Sequence, residues 1–258
     1  MSLKSRLAAG EILCTAWSGV PDALAVEIVA KQGFDAVTLD MQHGGHNEDS
    51  VLRSIPSVLL AGKPALVRIP VGRFDMVSRA LDFGAEAVIA PMVNSAEDAR
   101  LFAAAAKYPP LGERSWGPTY AFPRHGKGDH PQWLATSNER TMTFAMIETR
   151  AALDALDAIL DTPGIDGIFV GPSDFSIAWS NGAMVSSTLE SMMEAVAAIA
   201  ERTRKAGKYA ATYVIEPAIA GRLTGMGYQL LAMGSEHALI TLGARTLLAG
   251  VKESIAGK

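Results

Sequence analysis

The most regular feature of the chain is an alternation of short apolar runs with longer segments of mixed polarity. Eight runs are almost wholly apolar, and they span residues 12–16, 35–40, 65–69, 87–92, 143–147, 166–171, 209–214 and 229–234. Each run is too short for a typical helix, and continuous apolarity is typical of a strand that is covered on both faces. The pattern therefore predicts eight buried strands.

Segments with one polar and one apolar side separate these strands. They predict helices over residues 22–32, 47–60, 73–83, 95–107, 151–161, 189–206, 216–226 and 235–249. Asn47 and Ser95 stand where they would cap helix amino ends, and Gly84 and Gly207 stand where helices should end. Strand–helix units in this order predict one (β/α)8 (TIM) barrel domain over residues 1–258, with a doubly wound open sheet as the alternative.

One long segment interrupts the alternation. Residues 108–140 are rich in Gly, Pro and aromatic residues and lack the apolar runs of the other segments. A long irregular connection inside a compact domain is usually either a functional loop or disordered. Because this segment carries several aromatic side chains and Arg114, we expect a folded loop insertion on the active-site side of the barrel.

Composition narrows the classes of protein. The chain is 49% apolar and 19% charged, enough apolar material for a large core. Its net charge is −4 and its basic residues are not clustered, so a nucleic-acid partner is not expected. Cys14 is the only cysteine, which excludes an internal disulfide and favours a reducing compartment. Neither a signal peptide nor a run of the ~20 apolar residues of a membrane span is present, so we expect a cytoplasmic protein without a membrane partner.

Two acidic residues mark the first candidate site. The active site of such a barrel lies at the carboxyl ends of its strands, where Glu148 follows the fifth predicted strand and Asp174 the sixth. Two oxygen donors suit Mg²⁺ or Mn²⁺, which take water or substrate oxygens in their remaining positions. The alternative is that both acids only stabilise the amino ends of the helices that follow.

Three more features at strand ends indicate anion binding or proton transfer. Arg68 ends the third strand, where its permanent charge needs an anion, either on a substrate or in an ion pair with Asp40 or Glu148. His43 is a candidate proton carrier, with an ordinary hydrogen-bonding role as the alternative. Backbone N–H groups in the turn Gly171-Pro172-Ser173-Asp174 could hold a carboxylate or phosphate.

Five segments of the chain together resemble a known family. They are LDMQHG (39–44), VRIP (67–70), APMVNSAEDA (90–99), MIETRAAL (146–153) and GIDGIFVGPSDFS (164–176). In this order they are similar to the HpcH/HpaI aldolases, the 4-hydroxy-2-oxo-heptane-1,7-dioate aldolase group of class II, metal-dependent pyruvate aldolases. The similarity runs from about Ala16 to about Gly243, nearly the whole chain.

The resemblance implies roles for residues at the matching positions. Glu148 and Asp174 would bind the divalent metal, Mg²⁺ or Mn²⁺ with Co²⁺ as a further choice, and no organic cofactor is implied. Arg68 would contact the 2-oxo group and stabilise the enolate oxygen. His43 would belong to the acid–base machinery, with Asp40 close by. The implied reaction is the reversible cleavage of a 4-hydroxy-2-oxo acid into pyruvate or hydroxypyruvate and an aldehyde.

The resemblance also implies an oligomer. Asp82, fourteen residues after Arg68, matches an aspartate that family members present through water to the histidine of a neighbouring subunit. Trp17 matches an aromatic residue of the pocket, and the amides of the 171–174 turn would hold the pyruvate carboxylate. Family members are similar in being homohexamers, trimers of dimers with the last helix exchanged, and the apolar stretch Ala238–Val251 is compatible with such an exchange.

Some positions depart from the family pattern. Gln42 stands where many members have Glu, and Met146 stands where some have Gln. Neither is expected to bind the metal, but both would alter water structure or aldehyde preference. Ser115 replaces the usual Gly after Arg114, so that substrate binding and loop ordering are equally open roles for Arg114.

Three other functions are less compatible with the sequence. A Schiff-base aldolase needs a lysine near the carboxyl end of a strand, but Lys63 precedes the third strand and Lys208 begins the seventh. A citrate-lyase-like acyl-CoA lyase needs a basic surface for the nucleotide, and no basic cluster supplies one. The joint presence of Arg68, His43, Glu148 and Asp174 argues against a non-catalytic binding barrel, because losing any of them would not unfold a barrel.

Overall fold

The chain forms a closed barrel of eight parallel strands. A computed structural model describes residues 2–125 and 129–257. The strands are β1 Leu13–Ser18, β2 Ala36–Asp40, β3 Ala65–Arg68, β4 Ala87–Ala90, β5 Met142–Ile147, β6 Gly167–Val170, β7 Tyr209–Val214 and β8 Leu230–Met233. Each strand pairs with the next in the chain, and β8 pairs with β1. This closure confirms the predicted (β/α)8 barrel and excludes the open sheet.

Helices surround the barrel, and their ends follow the local signals in the sequence. They are α1 Leu3–Ala8, α2 Ala23–Ala30, α3 Glu48–Leu60, α4 Asp75–Phe83, α5 Ala96–Ala106, α6 Ala121–His125, α7 His130–Arg140, α8 Arg150–Asp154, α9 Leu156–Asp161, α10 Pro172–Trp179, α11 Met193–Lys205, α12 Ala220–Met226 and α13 Glu236–Ala256, with short 3₁₀ helices at Glu190–Met192 and Pro217–Ile219. The side chains of Asn47 and Ser95 cap α3 and α5 as predicted. Gly84 ends α4 at a φ of 110°, a left-handed conformation that glycine adopts without steric cost.

The interior of the barrel is closed at the amino ends of the strands. Leu3 and Leu7 of α1, a helix that the pattern did not predict, are each 1% exposed. They belong to the same apolar cluster as Leu13 and Met142, the first residues of β1 and β5. The backbone N–H of Leu3 donates to Glu86, just before β4, at 3.0 Å. Apolar burial of this kind stabilises the barrel and closes its interior at this end, so that the interior opens at the carboxyl ends of the strands.

The prediction for residues 108–140 was wrong about their position. The segment joins α5 to β5, so it lies at the amino ends of the strands and not on the active-site side. There Arg124 donates to the carbonyl of Leu52 at 3.1 Å, and His125 Nε2 lies 2.7 Å from the carbonyl of Gly84. The described residues of the segment, 108–125 and 129–140, contain α6 and α7.

Other differences concern helix lengths. The segment 151–161 is divided into α8 and α9, and the possible helix start at the 171–174 turn is the beginning of α10, a helix in addition to the one predicted at 189–206. The last helix, α13, continues to Ala256 rather than ending near residue 249. Within residues 2–125 and 129–257, no helix has the length and apolarity needed to cross a membrane.

Candidate active site

A cavity of about 470 Å³ opens at the carboxyl ends of the strands. The predicted site residues in its lining are Trp17, Asp40, His43, Arg68, Glu148, Gly171, Pro172, Ser173 and Asp174. Met146, Phe169 and Tyr213 contribute apolar walls. The structure therefore brings together every predicted site residue except Asp82.

Arg68 and Asp40 form a buried ion pair that connects the ends of β3 and β2. The Nε and Nη2 atoms of Arg68 donate to Oδ1 and Oδ2 of Asp40 at 2.8 and 2.6 Å. Trp17 Nε1 donates to the same Oδ2 at 3.1 Å, and the Arg68 guanidinium lies 4.8 Å from the centre of the Trp17 ring. A guanidinium held in this way is fixed in orientation and retains its positive charge in a poorly solvated site.

The ion pair also determines the charge of Asp40. Burial acts to raise the pKa of this carboxyl, but the hydrogen bonds and charge of Arg68, with the N–H of Gln42, outweigh it and lower the pKa below its usual value. Asp40 Oδ1 accepts from the N–H of Gln42 at 3.0 Å, and Oδ2 accepts from the N–H of Gly44 at 3.0 Å. Asp40 therefore shapes the loop that carries His43, whose own side chain is exposed at the cavity.

Glu148 lies at the end of β5 and is only 2% exposed. Its Oε2 accepts from the backbone N–H of Met92 at 2.9 Å. Met92 has a φ of 53°, and this left-handed backbone is uncommon for a residue other than glycine. Burial, together with the nearby charge of Asp174, raises the pKa of Glu148 to about 7. The hydrogen bond from the Met92 N–H and the positive charge of Arg68 act to lower this pKa, but they do not outweigh the burial.

The absence of a side chain at residue 171 makes room for Glu148. A Cβ atom on Gly171 would lie 2.9 Å from both Cγ and Cδ of Glu148, closer than real Cβ atoms approach. Gly171 is also the N-cap of α10, and Pro172 occupies the first turn. The turn predicted at 171–174 is thus a helix start, whose first N–H groups have no partner within the helix and favour an anion.

Glu148 and Asp174 fit a divalent cation. Their charges repel each other in a site that raises the pKa of Glu148, and a bound cation would remove this repulsion. Among the residues described, no group of three or more His, Cys, Asp or Glu side chains could hold a metal ion. A metal at these two carboxylates would therefore have to complete its shell with water or substrate oxygens, as Mg²⁺ commonly does.

Asp82 lies outside this cavity. It is in the last turn of α4, and its Oδ1 accepts from Arg114 Nη2 at 2.5 Å. The Arg114 guanidinium also lies 4.6 Å from the centre of the Tyr108 ring, and its side chain is 2% exposed. Within one chain, Arg114 thus connects the insertion to α4, which corresponds to the loop-ordering role considered for it.

Sequence reasoning missed several residues around the cavity. Phe169 and Tyr213 both pack against Trp17, with their ring centres 5.7 and 5.4 Å from the centre of the Trp17 ring. Gly19 and Val20 line the cavity as well, and so does Glu236, a polar residue at the end of the eighth predicted strand to which no role was assigned. Their position just after β1 and β8 was the available signal, because every strand of a barrel ends at the same rim.

Fold and site together define a (β/α)8-barrel protein with a fixed guanidinium, paired carboxylates and a helix amino end in one cavity. The model of the HpcH/HpaI aldolase/citrate lyase family matches residues 14–241. The chain is 36% identical to a hydroxypyruvate/pyruvate aldolase of Roseovarius nubinhibens, over 96% of this chain and 95% of the relative. It is 30% identical to a 2-keto-3-deoxy-L-rhamnonate aldolase of Salmonella gallinarum, over 96% and 92%.

A solved structure agrees with these relatives. The crystal structure of an HpcH/HpaI aldolase from Desulfitobacterium hafniense superposes with a TM-score of 0.88 at 27% identity, covering 98% of this chain and 97% of the other. The protein belongs to the HpcH/HpaI aldolase/citrate lyase family, and it is a lyase of the aldolase type. The family resemblance inferred from the five sequence segments is confirmed.

Proposed function

We propose that this protein is a divalent-metal-dependent aldolase that cleaves 4-hydroxy-2-oxo acids to pyruvate or hydroxypyruvate and an aldehyde, and forms them in reverse. The observation that carries the proposal is that Arg68, which Asp40 holds in a fixed orientation, lies in the same cavity as Glu148 and Asp174. Relatives named as hydroxypyruvate/pyruvate and 2-keto-3-deoxy-L-rhamnonate aldolases support the substrate class.

The carboxyl end of the 2-oxo acid would lie against the first turn of α10. The N–H groups of Ser173 and Asp174 are in that turn, and a helix amino end stabilises negative charge. Glu148 and Asp174 would hold Mg²⁺, Mn²⁺ or Co²⁺. When bound, the metal would supply Lewis acidity toward the oxygens of the 2-oxo acid.

Arg68 would stabilise the charge that develops during cleavage. Loss of the proton from the 4-hydroxyl lets the C3–C4 bond break, so that an aldehyde leaves and the bonding electrons form the enolate of the 2-oxo acid. Asp40 already accepts from Nε and Nη2 of Arg68, which leaves Nη1 to donate to the enolate oxygen. In many enzymes, preorganised donors of this kind make the largest single contribution to stabilising the transition state. Protonation of the enolate at C3 then gives pyruvate or hydroxypyruvate.

His43 is the residue that we assign to proton transfer at the hydroxyl. It is exposed in the cavity wall, and the loop around it is held by the carboxylate of Asp40. Asp40 itself stays bound to Arg68, so its part is to orient Arg68 and this loop. Asp82 is too closely engaged with Arg114, away from the cavity, to serve His43 of its own chain. If it acts, it acts on another subunit.

The proposal includes the assembly of the protein. We propose a homohexamer, built as a trimer of dimers in which α13 is exchanged between neighbours. The apolar side chains of Ile240, Leu247 and Val251 in α13 are 69%, 74% and 56% exposed. Apolar surface of this extent on one helix is typical of a surface that another subunit covers. The second copy of this chain is the proposed occupant, and light scattering during gel filtration tests the assembly.

Pyruvate release from a racemic 4-hydroxy-2-oxo acid, with and without EDTA, tests the reaction. Release that stops with EDTA and returns with Mn²⁺ is expected. Release that is independent of metal and blocked by borohydride would instead indicate a Schiff-base lysine, and release only from an acyl-CoA thioester would indicate a citrate-lyase-like enzyme. Absence of turnover across aldehydes and metals would leave a non-catalytic barrel.

A further inference from the structure

A buried carboxylate at the rim of the cavity has no part in the mechanism above. Glu236, the first residue of α13, is 3% exposed. Its Oε2 accepts from the backbone N–H of Gly19 at 2.8 Å and of Val20 at 3.3 Å, and its Oε1 accepts from the hydroxyl of Ser18. Burying a carboxylate is costly unless hydrogen bonds and dipoles compensate it, as these donors and the helix amino end do here.

Ser18 extends this arrangement to the neighbouring loop. Its hydroxyl lies 3.0 Å from Nε2 of His46, and Nδ1 of the same ring lies 3.1 Å from the hydroxyl of Ser50. Since Ser18 has one proton and gives it to Glu236, its oxygen must accept from Nε2–H of His46. Ser18 and His46 are 0% and 4% exposed, so water does not compete for these bonds.

The loop that Glu236 holds packs directly against the loop of His43. The N–H of Gly45 donates to the carbonyl of Gly19 at 2.8 Å. A Cβ on Gly44 would lie 2.9 Å from the Cα of Gly19, so the two backbones are as close as glycine permits. Any displacement of Gly19 is therefore transmitted to residues 44 and 45, next to His43.

The same carboxylate anchors a helix whose other residues are exposed or at most half-buried. Among the described residues of α13, Glu236 is the only buried one. Glu236 thus connects the first turn of α13 to the β1–α2 loop, and through that loop and Ser18 to the His43 loop. A position at a helix start could have held an exposed capping acid, but here the acid points inward and binds the β1–α2 loop directly, and it reaches the His43 loop only through Ser18 and His46.

We infer that Glu236 is a positioning residue which, through Gly19 and through Ser18 and His46, fixes the loop that carries His43 and ties it to the root of α13. This role rests on the proposed aldolase function for its catalytic consequence, but not for its structural one. The role of Glu236 affects proton transfer at His43. Binding of the 2-oxo acid depends instead on Arg68 of β3 and on the first turn of α10.

Hydrogen–deuterium exchange and kinetics on the intact protein test this inference. In Glu236→Gln, we expect amide exchange in residues 18–22 and 41–46 to accelerate about tenfold or more, the scale of a lost charge-assisted hydrogen bond, with β5 unchanged. The kcat for cleavage should fall about tenfold while the KM for the 2-oxo acid stays within about twofold. Glu253→Gln, an exposed acid on the same helix, is the matched control and should alter neither.

A second variant keeps the test decisive if Glu236→Gln folds poorly. Ser18→Ala retains the carboxylate and removes only the link to His46, so it should accelerate exchange in residues 41–46 more than in 18–22. The double variant should be no worse than the more impaired single one, because both act through one network. Unchanged exchange in both loops, an equal rise across the barrel, or faster loop exchange with wild-type kcat would each overturn the inference. Should the wild type cleave no 4-hydroxy-2-oxo acid, the proposed function fails, and the exchange measurement alone decides this one.

Discussion

Both carboxylate oxygens of Asp40 accept hydrogen bonds from the guanidinium of Arg68, and the two side chains are only 4% and 9% exposed. Because Arg68 cannot lose its proton and Asp40 is kept ionised, the pair leaves one edge of the guanidinium for an anion. The ion pair between Arg68 and Asp40, one of the alternatives open from the sequence, is therefore compatible with a substrate contact. Arg68 can therefore pair with Asp40 and contact a substrate anion at the same time.

Arg68→Ala should lower kcat/KM by ~10²–10³-fold, the scale of removing one oxyanion donor. Arg68→Lys should recover little of this loss, since an ammonium lacks the planar fork that matches Asp40. Arg73→Lys is the matched control, because Arg73 forms a similar two-pronged pair with Asp75 on the surface. Steady-state cleavage assays measure all three, and wild-type turnover in Arg68→Ala would reject the assigned role.

Asp40 should make stability depend on pH in a definite direction. The folded-state pKa of Asp40 is lowered, so its contribution is present above the unfolded value of about 4 and is lost as pH falls through the folded value. At pH 7, Asp40→Asn should lower the free energy of unfolding by about 3–5 kcal/mol, because it leaves Arg68 buried without its partner. The difference from wild type should shrink below about pH 4.

Urea unfolding at fixed subunit concentration measures this difference, since assembly would otherwise shift the midpoint. Asp75→Asn is the control and should change stability by at most about 1 kcal/mol, as expected for an exposed pair. A gap between wild type and Asp40→Asn that stays constant down to pH 3 would contradict the assignment.

The barrel and most of the site could be predicted because their signals are local. The start of each strand lies within two residues of its prediction, since near-continuous apolarity is imposed by burial on both faces. Arg68 and Glu148 could be placed because both end such strands. Met92 could not, since a positive φ at a residue other than glycine leaves no mark in the sequence.

One wrong prediction and one omission have different physical origins. The insertion at 108–140 was expected at the carboxyl ends of the strands, but the helix predicted at 95–107, α5, returns the chain to their amino ends before the insertion begins. The network of Ser18, His46 and Glu236 was overlooked because its members come from three separate parts of the chain. Only closure of the barrel makes β1 and β8 neighbours and brings these side chains together.

Removing either proposed metal ligand should weaken metal binding. Asp174→Asn and Glu148→Gln should each raise the Kd for Mn²⁺ at least about tenfold, or about 1.4 kcal/mol, because an amide oxygen carries no net charge. Titration calorimetry at pH 8, where Glu148 with its pKa of about 7 is mostly ionised, measures this independently of activity. Glu216→Gln, an exposed acid just after β7 and outside the cavity lining, should bind Mn²⁺ as wild type does. Equal affinity in all four proteins would place the metal elsewhere.

Gly171→Ala should damage the site without unfolding the barrel. The added Cβ would come within 2.9 Å of Cγ and Cδ of Glu148, so the carboxylate must move and the affinity for Mn²⁺ should fall with activity. Gly221→Ala in α12 is the control, because a Cβ there meets nothing within 4 Å. That helical substitution should be neutral or stabilise the protein by up to about 1 kcal/mol. Wild-type metal binding in Gly171→Ala would show that Glu148 tolerates displacement.

Asp82 and His43 allow a test that separates action within a chain from action between chains. Asp82 pairs with Arg114 and lies outside the cavity of its own chain, whereas His43 lies in the cavity wall. If Asp82 serves the His43 of a neighbour, Asp82→Asn and His43→Ala should each be nearly inactive as homo-oligomers. Mixed oligomers formed by co-expression should regain activity, because some sites then combine an intact His43 with a neighbour's intact Asp82. Co-expression of His43→Ala with Arg68→Ala is the control and should restore nothing, since both residues belong to one cavity. Full activity of Asp82→Asn alone would reject the shared site.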